Sequence, residues 1–169
     1  MLTNKFKINY SIGAVANGIK TDTFTFFLLF FYSNIIGLNP ALAGSAIFIA
    51  LCVDAVTDPL MGTISDRTNS SYGRRHPFMM ISFIPMSLGY IFLFAPRQDW
   101  DMSQSDLFIW MTIFTVITRI GMTLFDIPHR AFGGEVTKNY KERTILMSWR
   151  EMFGWVAGLS NAFLGYGVF

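Results

Sequence analysis

Five runs of apolar residues, each about 20 residues long or longer, constrain the fold of this chain more than any other feature. A helix of that length crosses the roughly 30 Å of hydrocarbon in a bilayer. Stretches such as FFLLFF at 26–31 and FIALCV at 48–53 have no polar face, unlike the helices of a soluble protein. We therefore predict an all-α polytopic membrane protein with five transmembrane helices, at residues 11–37, 43–65, 78–96, 107–129 and 145–169.

The basic residues lie mostly on one side of these predicted helices. Cytoplasmic loops carry an excess of Lys and Arg. One side has only Arg97, and the other has nine basic residues: Lys5, Lys7, Arg67, Arg74, Arg75, Arg130, Lys138, Lys141 and Arg143. We predict an integral protein of the cell (inner) membrane with its N-terminus and residues 66–77 and 130–144 in the cytoplasm. The net charge of +2 reflects this topology and does not indicate nucleic-acid binding.

No motif of enzyme or cofactor chemistry stands out in the sequence. The single cysteine, Cys52, cannot form an internal disulfide, and CxxC, HExxH and Walker-type glycine patterns are absent from the sequence. We predict that the protein is not an enzyme and has no cofactor.

Both ends of the chain bear on its completeness. The first run contains Lys20 and Asp22 and is too long for a cleaved signal peptide, so we expect it to be retained. The chain stops in an apolar run after an odd number of predicted spans. We expect residues 1–169 to be a partial N-terminal bundle that lacks a sixth helix and a C-terminal half. The alternative is a naturally short membrane protein.

Two carboxylates, Asp54 and Asp58, interrupt the second apolar run one helical turn apart. They share a helix face, with Thr57 on or beside it. Each buried acid costs roughly 2.5–3.5 kcal/mol on insertion scales, so a compensating partner is expected. That partner is a bound Na⁺, a proton, or a buried base such as Lys20 or Arg119 that only holds helices together.

Polar residues also follow one face of the fourth predicted helix. Arg119, Thr123 and Asp126 stand at i, i+4 and i+7 on an otherwise apolar segment. In the fifth predicted helix, Arg150 either faces the interior of the helix bundle or extends to the membrane interface. Gly154 and Gly158 are spaced for close packing against another helix.

The sequence SDRTNSSYGRRHP joins the second and third predicted helices. It is short, polar and rich in turn-forming residues, so it holds two helix ends together at the cytoplasmic surface. Asp66 is placed to form an ion pair with a nearby arginine, as a charged latch that opens and closes when two helix bundles rock. The alternative is a solvated loop without such a role.

These residues resemble a known group of transporters. Six loop positions look like the cytoplasmic signature of the major facilitator superfamily: Gly62, Asp66, Arg67, Gly73, Arg74 and Arg75. DAVTDPLMG at 54–62 and DIP at 126–128 are similar to the glycoside-pentoside-hexuronide:cation symporter family, the melibiose permease-like transporters. The resemblance extends from Tyr10 to about Gly158.

The resemblance implies roles for individual residues. The acids that match Asp54 and Asp58 bind the coupling cation in that family, with oxygen ligands matching Thr57 and Thr123. The acid and arginine that match Asp126 and Arg150 bind the sugar.

Three positions depart from the family pattern. The sugar-binding acid of the first helix falls on Gly18, and Asp22 lies one turn further on. Arg130 replaces an aromatic residue, and Arg119 is an unexpected base within the fourth helix. The substrate is therefore not fixed by the resemblance.

We predict a secondary active transporter that couples Na⁺ or H⁺ to the uptake of a sugar or glycoside by alternating access. Its expected partners are the coupling cation, a small-molecule substrate, the lipid bilayer and its own missing C-terminal half. The cation would bind at Asp54, Thr57, Asp58 and Thr123, and the substrate at Asp126, Arg150 and Asp22. Two alternatives stay open: a transporter of lysolipid or another polar solute, and a truncated fragment that does not transport.

Overall fold

The computed structural model describes residues 2–168, and every regular element in that range is a helix. In chain order these are α1 (Asn4–Asp22), a π-helical segment (Thr23–Phe27), α2 (Leu28–Phe30), a second π-helical segment (Phe31–Ile36), α3 (Pro40–Arg67), α4 (His76–Ile81), α5 (Phe83–Leu93), a 3₁₀ turn (Gln98–Trp100), α6 (Gln104–Glu135) and α7 (Tyr140–Val168). The prediction of an all-α fold is confirmed. The first and last residues of the predicted 1–169 bundle lie outside the described residues.

Local sequence explains where several helices begin and break. The side chain of Asn39 accepts a hydrogen bond from the backbone N–H of Ala41 at 2.9 Å, and Pro40 occupies the first turn, so α3 begins there. The break between α4 and α5 lies at Ser82, one turn before Pro85. Pro85 lacks the N–H that would bond the carbonyl of Ile81, and its ring crowds that carbonyl.

Three helical stretches in the described chain are long and apolar enough to cross a membrane by length and composition: Pro40–Arg67, His76–Leu93 and Gln104–Glu135. They contain most of the second, third and fourth predicted spans. The helices at either end of the chain were not found to meet that criterion, so the count of five spans stays a prediction. Many large apolar side chains are exposed, with Phe48 at 65% and Phe163 at 81%, as lipid-facing residues are.

The chain divides into two units. One contains residues up to Leu28 together with those from His129 onward, and the other is Leu29–Pro128. Within the first unit α1 packs along α7. Gly18 lies against the backbone of Gly154, where a Cβ would overlap the carbonyl oxygen. Gly18 therefore provides this close contact, whereas a Cβ on Gly154 would lie 3.7 Å from the carbonyl oxygen of Ala14, an ordinary contact distance.

The second unit contains α3, α4, α5 and the part of α6 up to Pro128. Two glycines allow α5 and α6 to approach closely: a Cβ on Gly121 would lie 2.7 Å from the backbone nitrogen of Met86, and one on Gly89 would overlap Thr118. Tyr32 is fully buried and its hydroxyl donates to the carbonyl of Leu93 at 2.7 Å. These contacts hold α5 against α6 and the second π-helical segment against α5.

Candidate functional site

The two acids of α3 each meet a polar side chain of α6. Thr123 Oγ1 donates to Asp58 Oδ1 at 2.7 Å, and the Arg119 guanidinium forms an ion pair with Asp54 Oδ2. In both pairs the α6 residue lies 65 positions after its α3 partner, so the two helices keep one register over this turn. The polar faces predicted on these two helices therefore face each other in the second unit, with α3 and α6 parallel.

Asp54 pairs with one of the bases that the sequence offered as a partner. Arg119 of α6 compensates one oxygen of this carboxylate. The side chains are largely covered, with 17% of Asp54 and 11% of Arg119 exposed. Asp58, by contrast, receives a neutral hydroxyl donor and not a base in the contact that joins it to α6.

Two oxygens beside this cluster are buried and, within the described residues, without a hydrogen-bond partner: Asp54 Oδ1 and Thr57 Oγ1. A buried oxygen without a partner costs about 1–3 kcal/mol. Carboxylate and hydroxyl oxygens are ligands that suit hard cations. The donor set thus fits a small cation, although no group of three or more His, Cys, Asp or Glu gathers as a metal site in the described part of the chain.

The loop after α3 contains the predicted ion pair. Arg75 Nη2 donates to Asp66 Oδ1 at 2.9 Å, with Arg75 buried and Asp66 exposed. Gly73 has φ of +90°, a conformation that favours glycine. Arg67 lies in the last turn of α3, where a positive charge suits the helix dipole. Gly62 has only Ile127 near its missing Cβ, at 3.8 Å, so packing does not require a glycine there.

A cleft in the first unit brings together two of the three predicted substrate residues. Asp22 of α1 and Arg150 of α7 both line it, and its volume is about 120 Å³. A Cβ on Gly158 would lie 2.8 Å from Asp22 Oδ2, so the missing side chain leaves room for the carboxylate. Asp126, the third, lies on α6 in the second unit.

Arg150 is held inside the first unit. Only 2% of it is exposed, and its Nη1 donates to Glu151 Oε1 at 2.5 Å. This burial is opposite to that of an arginine extended to an interface. A planar guanidinium in a cleft can donate two parallel hydrogen bonds to sugar hydroxyls or to a carboxylate.

Sequence reasoning missed an ion-pair cluster at the end of the first unit where α1 and α7 begin. Glu142, in the first turn of α7, accepts a hydrogen bond from the backbone N–H of Leu2 at 3.2 Å and lies 3.4 Å from Lys7 Nζ. The Leu2 N–H, followed by Lys7, lowers the pKa of Glu142. The available signal for this cluster in the sequence was an acidic residue close to the N-terminus of a predicted helix.

The stacked pair of Tyr10 and His129 was also missed. Their ring centroids are 4.4 Å apart, and the Tyr10 hydroxyl donates to the His129 carbonyl at 3.1 Å. Gly13 makes room for the imidazole, since a Cβ there would lie 2.6 Å from Nε2. Nothing in the spacing of these residues along the sequence signals their contact.

Long apolar helices with acidic and basic residues among them indicate an integral membrane protein. The chain belongs to the family described as MFS/sugar transport protein, whose model matches residues 9–169. The resemblance to major-facilitator cation symporters is thereby confirmed.

Three relatives illustrate the range of this family. An uncharacterized symporter of Synechocystis is 37% identical over 150 residues, which are 87% of this chain and 28% of the relative. The inner membrane symporter YicJ of Escherichia coli is 29% identical over 164 residues, 97% of this chain and 35% of the relative. The sodium-dependent lysophosphatidylcholine symporter 1-A of Danio rerio is 30% identical over 163 residues, 93% of this chain and 30% of the relative. The chain thus spans about a third of the length of these curated relatives.

Proposed function

We propose that the whole protein is a secondary transporter that couples Na⁺ or H⁺ to the uptake of a sugar or glycoside. The observation that carries this proposal is the contact of Asp58 with Thr123, beside the buried oxygens of Asp54 and Thr57 that have no hydrogen-bond partner among the described residues. Together these oxygens provide carboxylate and hydroxyl ligands within apolar helices. Cation binding there would neutralise the acid cluster and favour the substrate-competent state, which is the thermodynamic basis of coupling.

Asp22 and Arg150 would bind the substrate in the cleft that they line, and Asp126 is proposed as a further substrate residue. A carboxylate accepts hydrogen bonds from sugar hydroxyls and a guanidinium donates to them. The cleft of about 120 Å³ is smaller than the roughly 300–1,000 Å³ of a complete ligand pocket, so it would contact only part of the solute. The family description, which refers to sugar transport, supports this substrate class.

Alternating access would open and close the cytoplasmic side through the pair of Asp66 and Arg75. Five transmembrane helices with a cytoplasmic N-terminus form the arrangement that we propose for this chain. The sixth helix and a second bundle would belong to the remainder of the protein.

The test is uptake of labelled sugars and sugar acids into right-side-out vesicles, with and without a Na⁺ or proton gradient. Asp58→Asn in the whole protein should abolish gradient-driven accumulation. Asp99→Asn, which removes an exposed carboxylate of a loop, is the matched control and should accumulate solute normally. Uphill transport retained by the Asp58 variant would contradict the proposal.

A lysolipid transporter is the second candidate function. The Danio rerio relative whose name includes lysophosphatidylcholine is 30% identical to this chain, close to the 29% of the Escherichia coli symporter YicJ. Sodium-driven uptake of a lysophospholipid, with no uptake of any sugar, would favour this alternative and would leave the cation site in place.

A further inference from the structure

Arg119 is the charged residue of the candidate cation site to which the proposed function gives no role. It lies on α6 one turn before Thr123, just as Asp54 lies on α3 one turn before Asp58. The two helices are thus joined by a charged pair, Arg119 with Asp54, and by a neutral pair one turn further on. The two carboxylates therefore have different environments.

The charge balance of this cluster follows directly. An arginine keeps its positive charge at any physiological pH. With both carboxylates ionised, the cluster of Asp54, Asp58 and Arg119 has a net charge of −1. Without Arg119 the same cluster would have a net charge of −2. The net charge of a site is a main determinant of how strongly it holds a cation and of which valence it accepts.

We propose that Arg119 is a specificity-determining residue: it acts as a tethered counter-ion of Asp54 and limits the site of Asp54, Thr57, Asp58 and Thr123 to one weakly held monovalent cation. This inference rests on the proposed cation coupling. A modest affinity is what a symporter requires, since the coupling ion must be released inside the cell in every cycle. A site with two uncompensated carboxylates would bind a cation more tightly and would admit divalent ions.

The experiment measures cation binding without transport, on the purified whole protein in detergent. The probe is the rise in melting temperature with added NaCl, with choline chloride holding the ionic strength constant, and with H⁺ in Na⁺-free buffer as a second arm. Arg119→Gln should lower the half-saturating concentration of the cation at least about tenfold, since it removes a positive charge close to the site. Arg119→Lys keeps the charge and should stay within about threefold of the wild type.

Arg97→Gln, which removes an exposed positive charge from a loop, is the matched control and should leave the half-saturating concentration unchanged. An unchanged or weaker response of Arg119→Gln would overturn the inference while leaving cation coupling intact. A wild type that responds to neither Na⁺ nor H⁺ would instead contradict the proposed function, and the inference with it.

Arg119→Gln will leave two like charges close together, so its folding is a concern. A second measurement then applies: the yield of folded protein after solubilisation in NaCl or in choline chloride. If Arg119 is a counter-ion, Na⁺ should replace it and raise the yield of the variant more than that of the wild type. An equal gain for both proteins would count against the proposal.

Discussion

Gly18 of α1 lies so close to Gly154 of α7 that a Cβ on Gly18 would overlap the carbonyl oxygen of Gly154. This is the position where the resemblance places a sugar-binding acid. The helix contact excludes a carboxylate there, and Asp22, one turn further on, lines the cleft instead. The departure from the family pattern thus has a packing reason.

Substitution of Gly18 should destabilise the protein. Gly18→Ala forces α1 and α7 apart, and overpacking of this kind costs about 1–3 kcal/mol. Gly44→Ala is the matched control, because Gly44 lies within α3 with nothing near its missing Cβ. That change should be neutral or stabilise by up to about 1 kcal/mol, since alanine favours a helix. Thermal denaturation in detergent measures the stability of both variants. Equal melting temperatures for Gly18→Ala and Gly44→Ala would contradict the close contact at Gly18.

Removal of the Thr123 hydroxyl should weaken cation binding. Thr123→Val deletes the donor at 2.7 Å from Asp58 Oδ1, and hydrogen bonds to charged groups contribute about 1.5–3 kcal/mol. We expect a rise of roughly tenfold or more in the cation concentration that gives half-maximal uptake. Thr112→Val is the control, since Thr112 only donates to the carbonyl of Phe108 in its own helix. A Thr123 variant with the cation dependence of this control would exclude Thr123 from the site.

Substitution of Arg150 should weaken substrate binding and leave cation binding unchanged. Arg150→Lys keeps the positive charge but loses the planar pair of donors, so the KM for the solute should rise by about tenfold. The half-saturating cation concentration should stay at its wild-type value. Asp22→Asn should show the same division, because it lines the same cleft. If either change alters only the cation dependence, the assignment of this cleft to the substrate is wrong.

Glu142 should make stability depend on pH at the acidic end. Its pKa is lowered in the folded protein by the Leu2 N–H and by Lys7. A lowered pKa in the folded state contributes stability above the unfolded pKa of about 4.3, and that contribution is lost as the pH falls below it. Glu142→Gln should therefore be less stable than the wild type at pH 7. The difference should shrink below about pH 4. Asp99→Asn is the control, and a constant difference across this range would contradict the assignment.

The helices could be predicted from the sequence because lipid imposes a simple requirement. Uninterrupted apolar residues over the length of a bilayer have few alternatives to a helix. The ends were harder to place: α3 and α6 continue beyond their apolar runs into polar flanks such as Asp66. Backbone hydrogen bonds do not stop where hydrophobicity stops, so hydropathy alone underestimates helix length.

The candidate site was predictable in part from the spacing of polar residues along each helix. Spacing along a helix placed Asp54 and Asp58 on one face and Arg119 and Thr123 on one face, and these two faces meet. Spacing within single helices gives no register between helices, so it could not decide which residue of α6 meets which acid. The contact of Tyr10 with His129 was not predictable, because two glycines far apart in the sequence, Gly13 and Gly133, make room for it.

The π-helical segments Thr23–Phe27 and Phe31–Ile36 affect how this chain can be aligned with its relatives. A π turn holds one residue more than an α turn, so it behaves as a single-residue insertion that the helix absorbs without a loop. Beyond such a turn, counting in steps of three and four no longer identifies which side chains share a face. An ungapped alignment of Thr23–Ile36 with a chain that is α-helical in this stretch would match residues that point in different directions. Assignments of substrate residues after Thr23 in this helix should be made from coordinates and not from position in the sequence.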